Sequence, residues 1–240
     1  MQVYFIRHAQ SSNNALWVNT GSSLGRSEDP ELTDLGWKQA RAAAEFICSQ
    51  PGGAIQDPAD IQNLNGLGIT HLYSSLMTRA LSTAHCIAEE TGLPLRGWVD
   101  LHECGGIYLD DEISGERVGL AGKTAEVLAE RFPLLQLPAG LPENGWWNRP
   151  YENRELWYGR ARGVYEQLLR MHVDGDDRVA LVSHGCFFRY FLCAVFGLGD
   201  SDGLWFEVNN AAISRLEITP DSRRIFYLNR VDFLPREMIS

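Results

Sequence analysis

Three observations predict an α/β fold: a mostly parallel central sheet with helices on both faces, an edge hairpin and an inserted lid or subdomain. Short apolar runs alternate along the chain with stretches of helical period, the order that sets parallel strands between helices. Arg178-Val179-Ala180-Leu181-Val182-Ser183 is apolar almost without interruption, the mark of a strand covered on both faces. The chain has 240 residues, 45% hydrophobic and 22% charged, enough to bury one large interior at ordinary globular composition.

Taken in order, Met1 to Ile6 is a β-branched and aromatic run that delivers Arg7-His8 where the strand ends. Ser11 to Pro30, rich in Asn, Ser and Gly, reads as a polar loop longer than a connection needs, and such loops at strand ends often line sites. Thr33 caps a helix to about Gln50 with Leu35, Ala43, Phe46 and Ile47 on one face, stopped by Pro51-Gly52-Gly53. A second loop passes Asp57-Pro58 and Asn63-Leu64-Asn65-Gly66 to a strand at Ile69–Tyr73. Ser74 or Ser75 then caps a helix carrying Arg79, Leu81, Ala84, Ile87 and Ala88, which ends at Gly92. Pro94–Val99 is a further short strand leading to Asp100-Leu101-His102-Glu103.

Residues from about 104 to 155 have too little periodic apolar structure to hold a core alone, so they read as an insertion with a short helix at Thr124–Phe132. A helix from near Glu155 to Met171 precedes the buried strand, His184-Gly185 ends that strand, and Cys186–Phe196 forms a central helix apolar on nearly all sides. Ile213–Ile218 and Arg224–Leu228, joined through Pro220-Asp221-Ser222, make the edge hairpin.

Net charge is −10, from 21 basic and 31 acidic residues, which argues against nucleic acid or an anionic membrane as partner. We expect no signal peptide and no apolar stretch long enough to span a bilayer. The five cysteines are scattered without a C-x-x-C pair and read as reduced thiols in a cytoplasmic protein.

In parallel sheets ligands gather beyond the carboxyl ends of the strands. Four chemically loaded pieces fall at that edge: Arg7-His8, the turn from Ser74 to Arg79, Glu103, and Ser183-His184-Gly185. Arg79 stands in the first turn of its helix, where the macrodipole disfavours a cation by about 0.3–1 kcal/mol, so either an anion seated there or a surface carboxylate explains it. Gly185 permits tight backbone geometry, and His184 serves equally as a core or a functional histidine. His71, His85, His102 and His172 are weaker candidates, with His102 a support for Glu103. A metal centre fits poorly, because two arginines repel a cation and no helix carries H-E-x-x-H. Covalent phosphoryl transfer needs a nucleophile, positive donors on the equatorial oxygens and an acid for the leaving oxygen, and His8, then Arg7, Arg79 and His184, then Glu103 supply those parts.

Arg7-His8-Ala9-Gln10-Ser11, with Asn14 six residues past the histidine, resembles the signature of the histidine phosphatase superfamily, which includes the cofactor-dependent phosphoglycerate mutases. Leu32-Thr33-Asp34-Leu35-Gly36 with Gln39-Ala40, Ser74-Ser75-Leu76-Met77-Thr78-Arg79-Ala80, and Val182-Ser183-His184-Gly185 match later blocks in order. The resemblance covers about residues 1–103 and 155–230 and implies one such domain over 1–240. Glycine usually stands in the family where this chain has Ala9, a change tolerated where φ is not positive. Glu103 fits the interval at which the family's acid follows the second arginine; Glu112 and Glu116 are the fallback acids.

The resemblance implies a phosphatase that needs no metal and no cofactor and acts on a small phosphorylated substrate. Neutral His8 attacks phosphorus while a backbone carbonyl holds its other ring nitrogen. Arg7, Arg79 and His184 stabilise the transferring group, Asn14 adds a hydrogen bond, and Glu103 moves the proton. The alternatives are mutase-type transfer and a non-catalytic binder of phosphorylated ligands on the same scaffold. Trp146-Trp147 with Arg149 and Arg154 read either as a lid over the substrate or as an anchor of the insertion to the core.

Overall fold

The computed structural model describes residues 1–49, 60–64, 66–111, 113–173, 175–200 and 203–240. Seven strands form one sheet: β1 (Gln2–Arg7), β2 (His71–Ser74), β3 (Leu95–Gly97), β6 (Leu135–Gln136), β7 (Arg178–Ser183), β8 (Ile213–Ile218) and β9 (Arg223–Arg230), in the spatial order β6-β3-β2-β7-β1-β8-β9. The pairs from β6 through to β1 are parallel, whereas β8 is antiparallel to both β1 and β9. The edge hairpin predicted near residues 213–228 is this β8–β9 pair. A separate two-stranded sheet joins β4 (Tyr108–Asp110) to β5 (Arg117–Gly119).

The described helices are α1 (Ser12–Thr20), α2 (Asp34–Cys48), α3 (Thr78–Thr91), α4 (Ala125–Arg131), α5 (Arg154–His172) and α6 (Gly185–Phe196). Strand side chains alternate between faces, and here the alternation divides the interior in two. Tyr4, Ile6, Ala180 and Val182 join a core cluster with buried residues of α2 and α3. Val3, Phe5, Val179 and Leu181 join another with buried residues of α5 and α6. Phe5 packs its ring 4.4 Å from Phe188 and 5.8 Å from Phe191, so α6 is seated on the strand that carries Arg7 and His8. A buried aromatic of this kind contributes roughly 1.5–3 kcal/mol.

Four expectations need correction. The polar loop after His8 contains α1, which starts at Ser11 through a reciprocal cap with Asn14 and stops at Gly21, at φ +65°. It buries none of its residues, so no apolar period announces it. The N-cap of α3 is Met77, not Ser74 or Ser75; Ser74 ends β2, and the Ser75 hydroxyl accepts from the Met77 N–H at 3.2 Å. The strand predicted at Pro94–Val99 is shorter, because a 3-10 turn takes Val99–Leu101. The segment 104–155 is also less separate than expected: β6 extends the main sheet beside β3, and Trp146 and Trp147 enter the α2–α3 core cluster. The stop at Pro51-Gly52-Gly53, the turn at Asp57-Pro58, Asn65 and the fallback acid Glu112 lie outside the described residues.

Candidate active site

At the carboxyl ends of β1 and β7 lies a cavity of about 180 Å³. Arg7, His8, Asn14, Arg79 and Glu103 line it, together with Arg26 and, on the more exposed side, Leu16 and Trp17. Three guanidiniums therefore face one carboxylate, which gives the cavity a local excess of positive charge in a chain whose net charge is −10.

His8 is 3% exposed. Its Nδ1 lies 2.7 Å from the Ala9 carbonyl oxygen, which can only accept, so Nδ1 carries the proton and Nε2 keeps its lone pair. Burial, then the charges of Arg79 and Arg7, hold the imidazole well below its ordinary pKa of 6.5, against a smaller opposing pull from the Ala9 carbonyl. The backbone is held as firmly: the His8 carbonyl accepts from the Ala211 N–H and from Asn210 Nδ2, both at 3.2 Å. Ala211 adopts φ +60° to make that contact, a conformation that costs a non-glycine residue about 1–2 kcal/mol.

Arg79 is buried and its Nε donates to His8 Nε2 at 3.1 Å. The surface carboxylate that would have explained its place in the first helical turn is replaced by buried partners. Asp29 takes over the helix end instead, accepting from the Thr78 N–H at 2.9 Å and from the Thr78 hydroxyl at 2.5 Å, and Lys123 closes on Asp29 at 2.9 Å. Arg7 bonds the Val208 carbonyl and leaves its Nε without a partner. Burial pulls both guanidiniums down from their ordinary value, while Glu103 pulls them back up. Asn14 Oδ1 accepts from Ser11 N, Ser11 Oγ and Asn210 Nδ2, so the donor side of its amide is what it can offer a ligand.

Glu103 sits at the start of α6. Its carboxylate accepts from the N–H groups of Cys104 and Phe187 at 2.9 Å and of Cys186 at 3.3 Å. His184 does not line the cavity but stands behind His8, ring centroids 5.0 Å apart, with Nε2 2.9 Å from Ser75 Oγ and Nδ1 unpartnered. Burial and Arg79 lower its pKa well below 6.5. Gly185 has ordinary φ and ordinary space, so no tight geometry requires it.

The profile of the histidine phosphatase superfamily (branch 1) matches residues 3–231. The chain belongs to that superfamily. A curated relative named "Putative phosphoserine phosphatase 2" from Hydrogenobacter thermophilus is 25% identical over 240 residues, 96% of each chain. "Probable phosphoglycerate mutase GpmB" of Yersinia pestis is 24% identical over 227 residues, 90% of this chain and 85% of the relative. Among solved structures, a phosphoserine phosphatase of Entamoeba histolytica in complex with phosphoserine shares the fold at a TM-score of 0.59 and 17% identity, covering 98% of this chain and 99% of that one.

Within this histidine phosphatase scaffold, the two tryptophans anchor the insertion instead of forming a lid. Both are 2% exposed, the Trp147 ring lies 4.6 Å from that of His102, and Arg149 stacks on Trp147 at 4.0 Å. Arg154 pairs with Asp200 at 3.6 Å, and neither arginine lines the cavity. His102 supports Glu103 as expected, its Nδ1 lying 2.9 Å from the Glu103 carbonyl oxygen. Fallback acid Glu116 is exposed and outside the cavity lining. Sequence reading missed Asp29, Lys123, Arg26 and Asn210. Asn209-Asn210 just before a strand was a usable turn signal for the last; the first two meet α3 across long sequence separations that no local pattern records. Among the described residues two clusters hold three metal-ligating side chains each, Glu103-Cys104-Cys186 beside the cavity and His71-His172-Asp177 elsewhere. In the first, both carboxylate oxygens are already taken by backbone N–H groups.

Proposed function

We propose that this histidine phosphatase superfamily member hydrolyses a small phosphomonoester through a phosphohistidine on His8, without a metal. The observation that carries the reading is the His8 tautomer: Nδ1–H is spent on the Ala9 carbonyl, which leaves an Nε2 lone pair in an arginine-lined cavity. Arg79 Nε donates to that lone pair, and a phosphate group would draw the guanidinium onto its own oxygens and free it. His8 Nε2 then bonds to phosphorus as the P–O bond to the alcohol breaks, and the Glu103 carboxyl gives its proton to the departing oxygen. Water attacks phosphorus in turn, Glu103 takes its proton, and the P–N bond breaks to release inorganic phosphate. Arg7 and Arg79 spread positive charge over the transferring oxygens, the task a metal ion performs elsewhere, with Asn14 donating from its amide and His184 backing the His8 ring.

His8→Ala is expected to abolish both phosphate release and acid-labile phosphoenzyme. Hydrolysis near the parent rate in that variant excludes the mechanism. The resemblance to a curated mutase keeps phosphoryl transfer to a second alcohol as the competing outcome. Supplying 3-phosphoglycerate with 2,3-bisphosphoglycerate and measuring the 2-isomer against free phosphate separates the two; we expect free phosphate to dominate.

A further inference from the structure

The proposed chemistry leaves one cluster of ligating side chains unused, at the opposite edge of the sheet. His71 opens β2, while His172 ends α5 and Asp177 precedes β7 five residues later, so two segments about a hundred residues apart converge where the strands begin. At about 3.3 Å per residue the six residues of β7 separate this place from the cavity by on the order of 20 Å. One ligating atom of each side chain lies within 4.8 Å of the other two.

We propose that His71, His172 and Asp177 form a site for a divalent transition-metal ion of the zinc type. Asp177 turns a different oxygen to each imidazole: Oδ2 is 2.8 Å from His172 Nδ1, and Oδ1 is 3.8 Å from His71 Nδ1. Donors around a tetrahedral ion at ~2.0–2.1 Å stand about 3.3 Å apart, so the two observed spacings straddle the required one, and shifts under about 1 Å bring them to it. The longer spacing is that of an ion pair and not of a hydrogen bond, so the carboxylate attracts His71 only when a positive charge is present, on the ring itself or on a bound ion.

A second feature belongs to a ligating histidine. His172 Nε2 lies 3.1 Å from the Tyr73 hydroxyl, so with Nδ1 on the ion the Nε2–H has an acceptor already in place. His172 is 5% exposed, which gives the site one fixed ligand, while His71 and Asp177 are partly open and leave a fourth position to water. Binding replaces the contact of His71 Nδ1 with Thr70 Oγ1 at 2.9 Å. Two nitrogens and a carboxylate select zinc, cobalt(II) or nickel(II) over magnesium and calcium, which prefer all-oxygen shells. The bound ion ties the end of α5 to the starts of β2 and β7 and takes no part in phosphoryl transfer.

The test is a cobalt(II) titration of the metal-stripped, untagged full chain, read by visible d–d absorption, with zinc as competitor. One equivalent is expected to bind, zinc to displace it, and His71→Ala and Asp177→Asn each to weaken it by at least about tenfold. Both altered side chains are partly exposed, and far-UV circular dichroism checks that the variants fold. Cys104→Ser with Cys186→Ser is expected to leave the cobalt affinity unchanged. Absence of the visible band, equal affinity in parent and variants (an adventitious ion only), or a near-ultraviolet thiolate band lost in the cysteine variant overturns the proposal.

Discussion

At the residue scale the backbone beside His8 explains how a methyl group is accommodated where the superfamily usually has glycine. Ala9 is fully buried, its φ is not positive, and its N–H donates to the Thr83 hydroxyl at 3.0 Å, so nothing in the conformation requires glycine. Ala9→Gly is expected to keep turnover close to the parent's while losing about 1–2 kcal/mol in chemical denaturation, from added chain freedom and a lost buried methyl. The same local environment sets the pH response. Because His8 is held below its ordinary pKa, its nucleophilic form survives as pH falls past 6.5. The acid limb of kcat/KM should therefore lie below pH 6.5, once the ester's own second ionisation near pH 6 is corrected for; an acid limb centred above 6.5 contradicts the assignment. Arg7, His8 and Arg79 were legible because each stands beside a strand end or helix start that sequence marks. Their fixing partners, Asn210 and Asp29, were not, since a hydrogen bond across the fold leaves no period in the chain.

At the scale of elements, α2 and α1 show why some helices are readable and others are not. Helix α2 has a capping threonine and one apolar face, and both were visible. Its register is locked by Gly36, where a Cβ would come 2.0 Å from the Gln10 carbonyl oxygen. Gly36→Ala is expected to push α2 off the segment following His8, destabilising the fold by about 1–3 kcal/mol and lowering kcat, as thermal melting and steady-state rates would show. Helix α1 has caps but no buried face, so its existence rests on the Ser11–Asn14 cap and the Gly21 stop, features easily read as loop chemistry. That lack of burial leaves Trp17 60% exposed on the cavity lining, available to an alcohol group leaving the phosphate. Trp17→Ala should raise KM for aryl phosphates severalfold, by about 1 kcal/mol of lost stacking, with little change for a small aliphatic ester.

For the whole molecule, the alternating pattern gave the layer order, and the buried run at 178–183 gave the central strand. It did not give the insertion's share in the core, because Trp146 and Trp147 lack a neighbouring apolar period and find their partners only in space. Stability in acid is a property of the assembled interior. His8, His102 and His184 are all held well below pKa 6.5 in the fold, each first by burial. The unfolded chain binds those protons from about pH 6.5 downward and the folded chain does not, so stability is intact above 6.5 and declines below it. The slope reaches up to about 1.4 kcal/mol per pH unit for each histidine, to be read from urea midpoints between about pH 8 and 5.

The position of β1 between β7 and β8 also bears on synthesis. The strand bearing Arg7 and His8 leaves the ribosome long before its two neighbours, Arg178–Ser183 and Ile213–Ile218, exist. At about 5–20 residues per second this interval lasts on the order of 10–40 s. Through that time the apolar strand has neither of its sheet neighbours to pair with, and its buried face can be covered only by non-native contacts or by another protein until β7 and β8 are made.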